Sequence, residues 1–353
     1  MRNLRTAARK RRRSVLLAIA LWAIALSLTV VLLAPGGQGA RAAAPHASPL
    51  KLFMIPKFTG IPPFTQANQG AAQYARTFGY KLDYGGPTSS SASEQVKFID
   101  TAVARGYKGI FISADDPAAV TPALQRARRS GVTVVSFDSD VLPAGRSVYV
   151  EGTSAEFIAR VQLDMLGSQI GYKGDFVILS AQATDTNQVT WNKLLVQDLR
   201  KPKYRKMHLV TIINPPDDST PTAVKYAQSI LKTYPTIKGI IAPTTIAVAA
   251  AAQVVQQEKV CGKYVVTGLG DPLQMISYVK SGCVKQFALW SFTREGQVAM
   301  CAMHALLTHT ITGKTNDTFT CGKLGRFKVK PGGTITAGPP MVFTNKNYNL
   351  YTF

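Results

Sequence analysis

Histidine is scarce in this 353-residue chain: there are four, His46, His208, His304 and His309, and no two stand four residues apart. A helical zinc site needs two imidazoles on one face, so that class of metal-dependent hydrolase is excluded. No G-x-S-x-G turn presents a serine nucleophile, no G-x-x-x-x-G-K-[ST] loop cradles a phosphate, and no G-x-G-x-x-G opens a dinucleotide site. The four cysteines contain no C-x-x-C pair, which leaves no thiolate metal site of ordinary spacing. Acidic residues are also few, 19 against 41 Lys and Arg, for a formal charge of +22. Eight of the basic side chains and none of the acidic ones lie in residues 1–42, so the remainder carries +14. The basic residues are scattered, without a helix-turn-helix, RNP or zinc-finger pattern, and so nucleic acid is not the expected partner. A solvated basic face close to anionic headgroups accounts for them.

What is there begins with an export segment. Arg2, Arg5, Arg9, Lys10, Arg11, Arg12 and Arg13 precede 21 uncharged residues, Ser14 to Ala34. Ala40, Ala42, Ala43 and Ala44 then supply a small-residue exit of the A-x-A type, with cleavage expected after Ala42. The apolar run is also long enough to span a bilayer with its basic flank inside, so retention as an N-terminal anchor is the competing outcome. Either way the body is periplasmic or extracytoplasmic. Residues 1–44 are therefore set apart as export signal or anchor.

Thiols of an exported chain tend to be oxidised. Cys261, Cys283, Cys301 and Cys321 allow three pairings. Cys261 and Cys283 each precede a predicted strand, YVVTGLGD and VKQFALWS, so a Cys261–Cys283 bridge is expected to tie neighbouring strand starts, leaving Cys301 with Cys321.

About 300 residues follow the leader, enough for two domains. LKLFMIPK, KLDYGGP, GIFISAD and VTVVSFDSD read as short apolar strands separated by helical stretches such as SEQVKFIDTAVARG, in which Val96, Ile99 and Val103 share a face. A second run of the same kind extends from SAEFIARVQLDMLGSQIG to YVVTGLGD. Repeated β-α connection implies parallel sheets covered on both faces. So many strands exceed one ordinary open sheet, and two α/β lobes follow.

In such sheets ligands bind beyond the carboxyl ends of the strands. Those positions hold Lys57, Asp115 with Asp116, and Asp138 with Asp140, then Asp185 with Asn187 and Gln188, Thr244 with Thr245, Asp271, and Trp290 with Ser291. Phe64, Trp191 and Trp290 are aromatic neighbours able to cover the apolar face of a sugar ring, with burial in the core the alternative for either tryptophan. Asp115, Asp116 and Asp271 stand beside prolines and read as helix caps or loop residues.

Residues 55–140, with IPKFTG, GGPTSSSASEQVKFIDTAVARGYKGIFISADDP and VVSFDSD, resemble the periplasmic binding proteins for autoinducer-2 and for rhamnose. The resemblance resumes at ATDTNQVTW, IIAPTTIAVAAAAQ, GLGDPLQM, YVKSGCVKQFALW and TFTCGKLGRFKV, so it covers nearly the whole exported part. It implies a ribose-binding-like α/β fold of two doubly wound parallel-sheet lobes joined by a three-crossing hinge. The expected division is 50–152 plus 292–324 for the N-terminal lobe and 153–291 plus 325–353 for the C-terminal lobe and tail.

Carried over position by position, the motif lysine is Lys57, the motif aspartates are Asp138 and Asp185, and the strand-end proline is Pro243. A carboxylate accepts two hydroxyl hydrogen bonds and an ammonium donates to sugar oxygens, so the chemistry suits a polyol. Departures stand beside these residues: Thr186 replaces a glutamine, Thr245 an alanine, and Ser291 the aspartate of the family's LWD. The expected ligand set is Lys57, Phe64, Asp138, Asp140, Asp185, Asn187, Pro243, Thr245 and Trp290, with no catalytic residue, metal or cofactor. The expected function is that of the substrate-binding protein of a sugar ABC transporter: a monomer that takes a rhamnose-like deoxyhexose or pentose and serves a membrane permease. Autoinducer-2 binding and a membrane-anchored sugar-sensing domain are the alternatives. A glycosidase using Asp138 and Asp185 is set aside for want of other catalytic signals, and a sugar-responsive repressor for want of a DNA-binding helix pair.

Overall fold

The computed structural model describes residues 48–350; the export segment expected at 1–44 lies outside the described residues. The chain begins with β1 (Lys51–Ile55), α1 (Pro62–Thr77), β2 (Lys81–Tyr84), α2 (Ala92–Ala104), β3 (Gly109–Ile112), α3 (Pro117–Arg129), β4 (Thr133–Phe137) and β5 (Val148–Glu151). All four residues of β3 are buried, as strands covered on both faces require. Helices start where a side chain caps the free amides: Ser91 accepts from Glu94 N–H ahead of α2, and Asp116, followed by Pro117, accepts from Ala118 and Ala119 ahead of α3.

The second run holds α4 (Ala155–Ile170), β6 (Gly174–Leu179), α5 (Thr186–Asp198), β7 (Met207–Ile213), α6 (Thr220–Thr233), β8 (Gly239–Ala242), α7 (Thr245–Gln257), β9 (Val265–Gly268), α8 (Pro272–Lys280) and β10 (Gln286–Leu289). After these come α9 (Phe292–Leu307), β11 (Thr318–Thr320), β12 (Arg326–Lys328), β13 (Thr334–Thr336) and β14 (Met341–Thr344). The first sheet is parallel, in the order β2-β1-β3-β4-β5-β13. The second has the parallel order β7-β6-β8-β9, extended by a bridge from Leu269 to Ala288 of β10, on which β14 lies antiparallel. Two doubly wound lobes result.

The chain passes between the lobes three times, after β5, after β10 and after β13. The last crossing corrects the expected division at residue 325. Thr334–Thr336 pairs with Tyr149–Glu151 of the first sheet, and only Met341–Thr344 joins the second. The TIT segment is too short for its lobe to be read from periodicity; its partner strand decides.

Helix α9 returns to the first lobe and packs against α1 through two glycines. A Cβ on Gly70 would meet the Thr293 carbonyl, and one on Gly296 the Ala67 carbonyl, so the two backbones touch where no side chain fits. The cysteines pair as expected, Cys261 with Cys283 at a Cα separation of 4.8 Å and Cys301 with Cys321 at 5.5 Å, inside the reach of a disulfide. The second bridge ties α9 to the segment following β11. Among the described residues no helix is long and apolar enough to cross a membrane.

Candidate ligand-binding site

The strand order of each sheet reverses beside its first strand, β1 and β6, and the carboxyl ends around those two points face one another across the cleft. Lys57 follows β1, Ser113 follows β3 and Asp138 follows β4; from the other lobe, Asp185 and Asn187 open α5, Asp218 follows β7, and Pro243 and Thr244 follow β8. Gln95 of α2, buried, sets the first group by donating to the carbonyls of Pro56 and Ser113 and accepting the Asp115 N–H.

Lys57 is 5% exposed and its ammonium lies 3.0 Å from Asp185 Oδ2 and 3.4 Å from Asn187 Oδ1. Asn187 in turn donates to Asp138 Oδ1 at 3.4 Å, while the Ser113 hydroxyl donates to Asp138 Oδ2 at 2.7 Å. Lys57 and Asp138 belong to one lobe and Asp185 and Asn187 to the other, so this chain of polar contacts spans the cleft. Gln66 of α1 adds a further crossing by donating to Asp271 Oδ2.

The groups border a narrow cavity of about 50 Å³, lined among others by Lys57, Phe64, Asp138, Asn187, Gln188, Trp191, Asp218, Pro243, Thr245 and Trp290. Its apolar wall is a set of edge-on rings: Trp191 on Trp290 at 5.7 Å, and Phe64 on Phe292 at 6.4 Å. A small, half-open volume with one aromatic wall and a few converging charged groups suits a polar small molecule.

Seven of the nine residues expected from sequence line this cavity: Lys57, Phe64, Asp138, Asn187, Pro243, Thr245 and Trp290. Asp185 stands behind them as the partner of Lys57. Asp140 does not face it. Its carboxylate is taken by the Arg146 guanidinium at 2.6 and 2.7 Å, by the Ser136 hydroxyl and by the Val141 N–H, and it borders a separate cavity beside the first crossing. The period-two alternation of DSD, which gives both aspartates one direction in an extended strand, fails because Asp138 turns into the left-handed region at φ 55°.

Asp116 and Asp271 cap α3 and α8, as their prolines suggested. Asp115 is buried rather than solvated and accepts the Ser91 N–H at 2.7 Å. Asp218, Ser113 and Glu295 were missed. Asp218 does end a strand, but Pro215 and Pro216 hide the position; Glu295 lies inside a helix, where sequence gives no sign that it turns inward.

The Thr substitutions differ in effect. Thr245 stands in the cavity lining, whereas the Thr186 hydroxyl donates to the Asp140 carbonyl, toward the crossing. Ser291 caps α9 by accepting the Arg294 N–H, a service an aspartate would also give.

Burial pulls the Lys57 ammonium down, but the nearby carboxylates of Asp185, Asp138 and Asp115 outweigh it and hold the amine protonated. Asp115 and Asp218 are each pushed up to about 7, chiefly by burial and, for Asp218, by the charge of Asp185. A carboxyl whose folded pKa exceeds its unfolded value keeps a proton when folded that it gives up on unfolding. Stability from these groups is therefore present at low pH and lost as pH rises from about 4 through 7. The ligand-free protein is expected to melt at a lower temperature at pH 8 than at pH 5, with a shallower slope in Asp218→Asn. A melting temperature flat across that range, or an unaltered slope in the variant, contradicts the assignment.

Residues 52–311 match the periplasmic binding protein domain family. The chain belongs to that family. Solved structures similar to this periplasmic binding protein include a sugar ABC transporter protein from Actinomyces odontolyticus, 35% identical, with 86% of this chain and 98% of that one covered and a TM-score of 0.71. An ABC transporter solute-binding protein of Clostridium phytofermentas with bound L-rhamnose is 31% identical over 87% of this chain and all of its own, at a TM-score of 0.82. LsrB of Clostridium saccharobutylicum in complex with AI-2 is 27% identical over 86% and 100%, at 0.80. The protein is thus a sugar-binding component of an ABC transporter.

Proposed function

We propose that this periplasmic binding protein takes a monosaccharide, a rhamnose-like deoxyhexose or a pentose, between its lobes and presents the closed form to a membrane permease. The observation that carries the reading is the composition of the cavity: carboxylate, ammonium and amide groups from both lobes opposite the Trp191–Trp290 pair. A pyranose has a rim of hydroxyls and a C–H face, and such a cavity can pair the first while the rings cover the second. A ligand that touches both lobes favours the closed arrangement by the difference in its affinity for the two states.

The alternative ligand, autoinducer-2, has the support of the LsrB likeness. Thr245 in the cavity lining supports a sugar, because an added hydroxyl left without a partner there costs about 1–3 kcal/mol, enough to change preference tenfold. In a thermal-shift screen, rhamnose, ribose or another pentose or deoxyhexose is expected to raise the melting temperature more than autoinducer-2 at equal concentration. A response to autoinducer-2 alone reverses the ligand assignment.

We infer further that residues 1–42 are removed on export and that the mature protein is a monomer. The basic start, the uncharged run and the alanine-rich exit support the removal of residues 1–42. Intact-mass measurement of the extracytoplasmic protein is expected to show a chain beginning near Ala43; an intact N-terminus in the membrane fraction supports the anchor instead.

A further inference from the structure

Every parallel strand of the second sheet is led in by a lysine. Lys173 precedes β6, Lys206 precedes β7, Lys238 precedes β8, Lys263 stands two residues ahead of β9, and Lys285 precedes β10. Backbone hydrogen bonds fix four of them side by side: Gly174 N–H to the Lys206 carbonyl at 2.9 Å, Lys238 N–H to the Asp175 carbonyl at 2.7 Å, and Val265 N–H to the Lys238 carbonyl at 2.9 Å. Neighbouring strands lie about 4.8 Å apart, so the row advances in steps of about that size along one edge.

All five lysines are exposed, and none of them joins an ion pair among the described residues. The loop between α5 and β7 enlarges the patch. Its Lys201 and Lys203 are held by Asp198 and Asp164, but Arg200 and Arg205 are exposed and unpaired. Asp175, the carboxylate nearest the row in sequence, faces His208. In the first sheet the matching lysines are better balanced: Lys51 donates to the Arg105 carbonyl and Lys81 pairs with Asp83, while Lys108 alone has no such partner.

Like charges at this spacing fall inside the Debye length of about 8 Å and repel. The carboxyl ends of the preceding helices offset part of this, but their influence fades within a turn, and the lysines lie beyond it. An edge of this kind, exposed and without a buried polar group, does not enclose one discrete anion. It matches an extended layer of negative charge.

We propose that the leading edge of the second sheet docks on anionic lipid headgroups at the outer face of the membrane. The ligand cavity lies at the opposite ends of the same strands, so docking does not cover the cleft. The inference uses the extracytoplasmic location but not the identity of the sugar, so failure of the ligand screen leaves it standing. Each lysine near such a surface contributes about fivefold to partition.

Hydrogen exchange of the exported protein gives a local readout that any N-terminal anchor does not mimic. With vesicles of phosphatidylglycerol and phosphatidylcholine, exchange in residues 199–208 is expected to slow at least threefold, with no slowing on pure phosphatidylcholine or in 0.5 M salt, on the order expected for screened charge. The triple variant Lys173→Gln, Lys206→Gln, Lys238→Gln is expected to lose tenfold or more of this partition while binding sugar as before. Equal protection on neutral vesicles, or full protection retained in the variant, overturns the proposal. So does protection by soluble polyphosphate with none by vesicles, which would reassign the edge to a free polyanion.

Discussion

Asp138→Ala and Asp185→Ala are each expected to weaken sugar binding by about a hundredfold or more, whereas Asp116→Ala leaves the affinity within about twofold. Asp138 lines the cavity with a carboxylate already oriented by Ser113 and Asn187, so its loss removes a charged acceptor whose geometry is set before the ligand arrives. Asp185 acts through Lys57. Without it, a buried ammonium faces the cleft with only the 3.4 Å contact to Asn187 left, and breaking a buried pair on one side costs about 3–5 kcal/mol. Asp138 also sits at φ 55°, which aspartate and asparagine tolerate better than alanine. Asp138→Asn therefore separates the two contributions: it keeps the backbone preference and loses the charge. Asp116 only caps α3. Isothermal calorimetry decides, and unchanged affinity in both alanine variants at the cleft would remove the site from the cavity described here.

Glu295→Ala is expected to lower stability by about 3–5 kcal/mol and to weaken binding with it. The Glu295 side chain is fully buried and takes two hydrogen bonds, the Asp138 N–H on Oε1 at 2.7 Å and the Trp290 indole N–H on Oε2 at 2.6 Å. Alanine leaves the Trp290 indole N–H unpaired away from water, at about 1–3 kcal/mol, and the Asp138 N–H with only its 3.2 Å bond to the Val150 carbonyl, together with a cavity. One donor belongs to the backbone of the cleft aspartate and the other to the ring that forms the aromatic wall, so the same loss loosens both sides of the site. Glu295→Gln is the milder change, since one amide oxygen remains to accept one bond while the amide nitrogen confronts the other donor. Burial, and the charge of Asp138, raise the Glu295 carboxyl well above its ordinary range. Urea denaturation of the alanine variant within about 1 kcal/mol of the parent would show that the pair of bonds is not needed.

The strand ends were legible because two regularities coincide there. A short apolar run marks a covered strand, and a polar residue directly after it has nowhere to go but the crevice. Lys57, Asp138 and Asn187 follow from that pattern, and the Cys261–Cys283 bridge follows from adjacent strand starts, leaving Cys301 with Cys321. Asp140 shows where the pattern stops: one left-handed residue at Asp138 redirects its neighbour toward Arg146, and no periodicity announces it. Glu295 and Gln95 were illegible for a different reason. Each is a polar residue inside a helix whose inward orientation depends on partners brought in from elsewhere in the chain, Asp138 for one and Pro56 and Ser113 for the other.

The placement of β13 has a consequence for how the protein is made. A chain exported amino end first delivers β1 to β5 early, yet the outermost strand of their sheet arrives only after residues 152–333 have passed. The second lobe's parallel strands β6 to β9 are by contrast contiguous along the chain. The lobe that emerges first thus waits for its edge strand until all but β14 of the other lobe has been made. Its edge at Val148–Glu151 stays open through synthesis of the other lobe, and closing so long a loop has to be repaid by three residue pairs and the contacts around them.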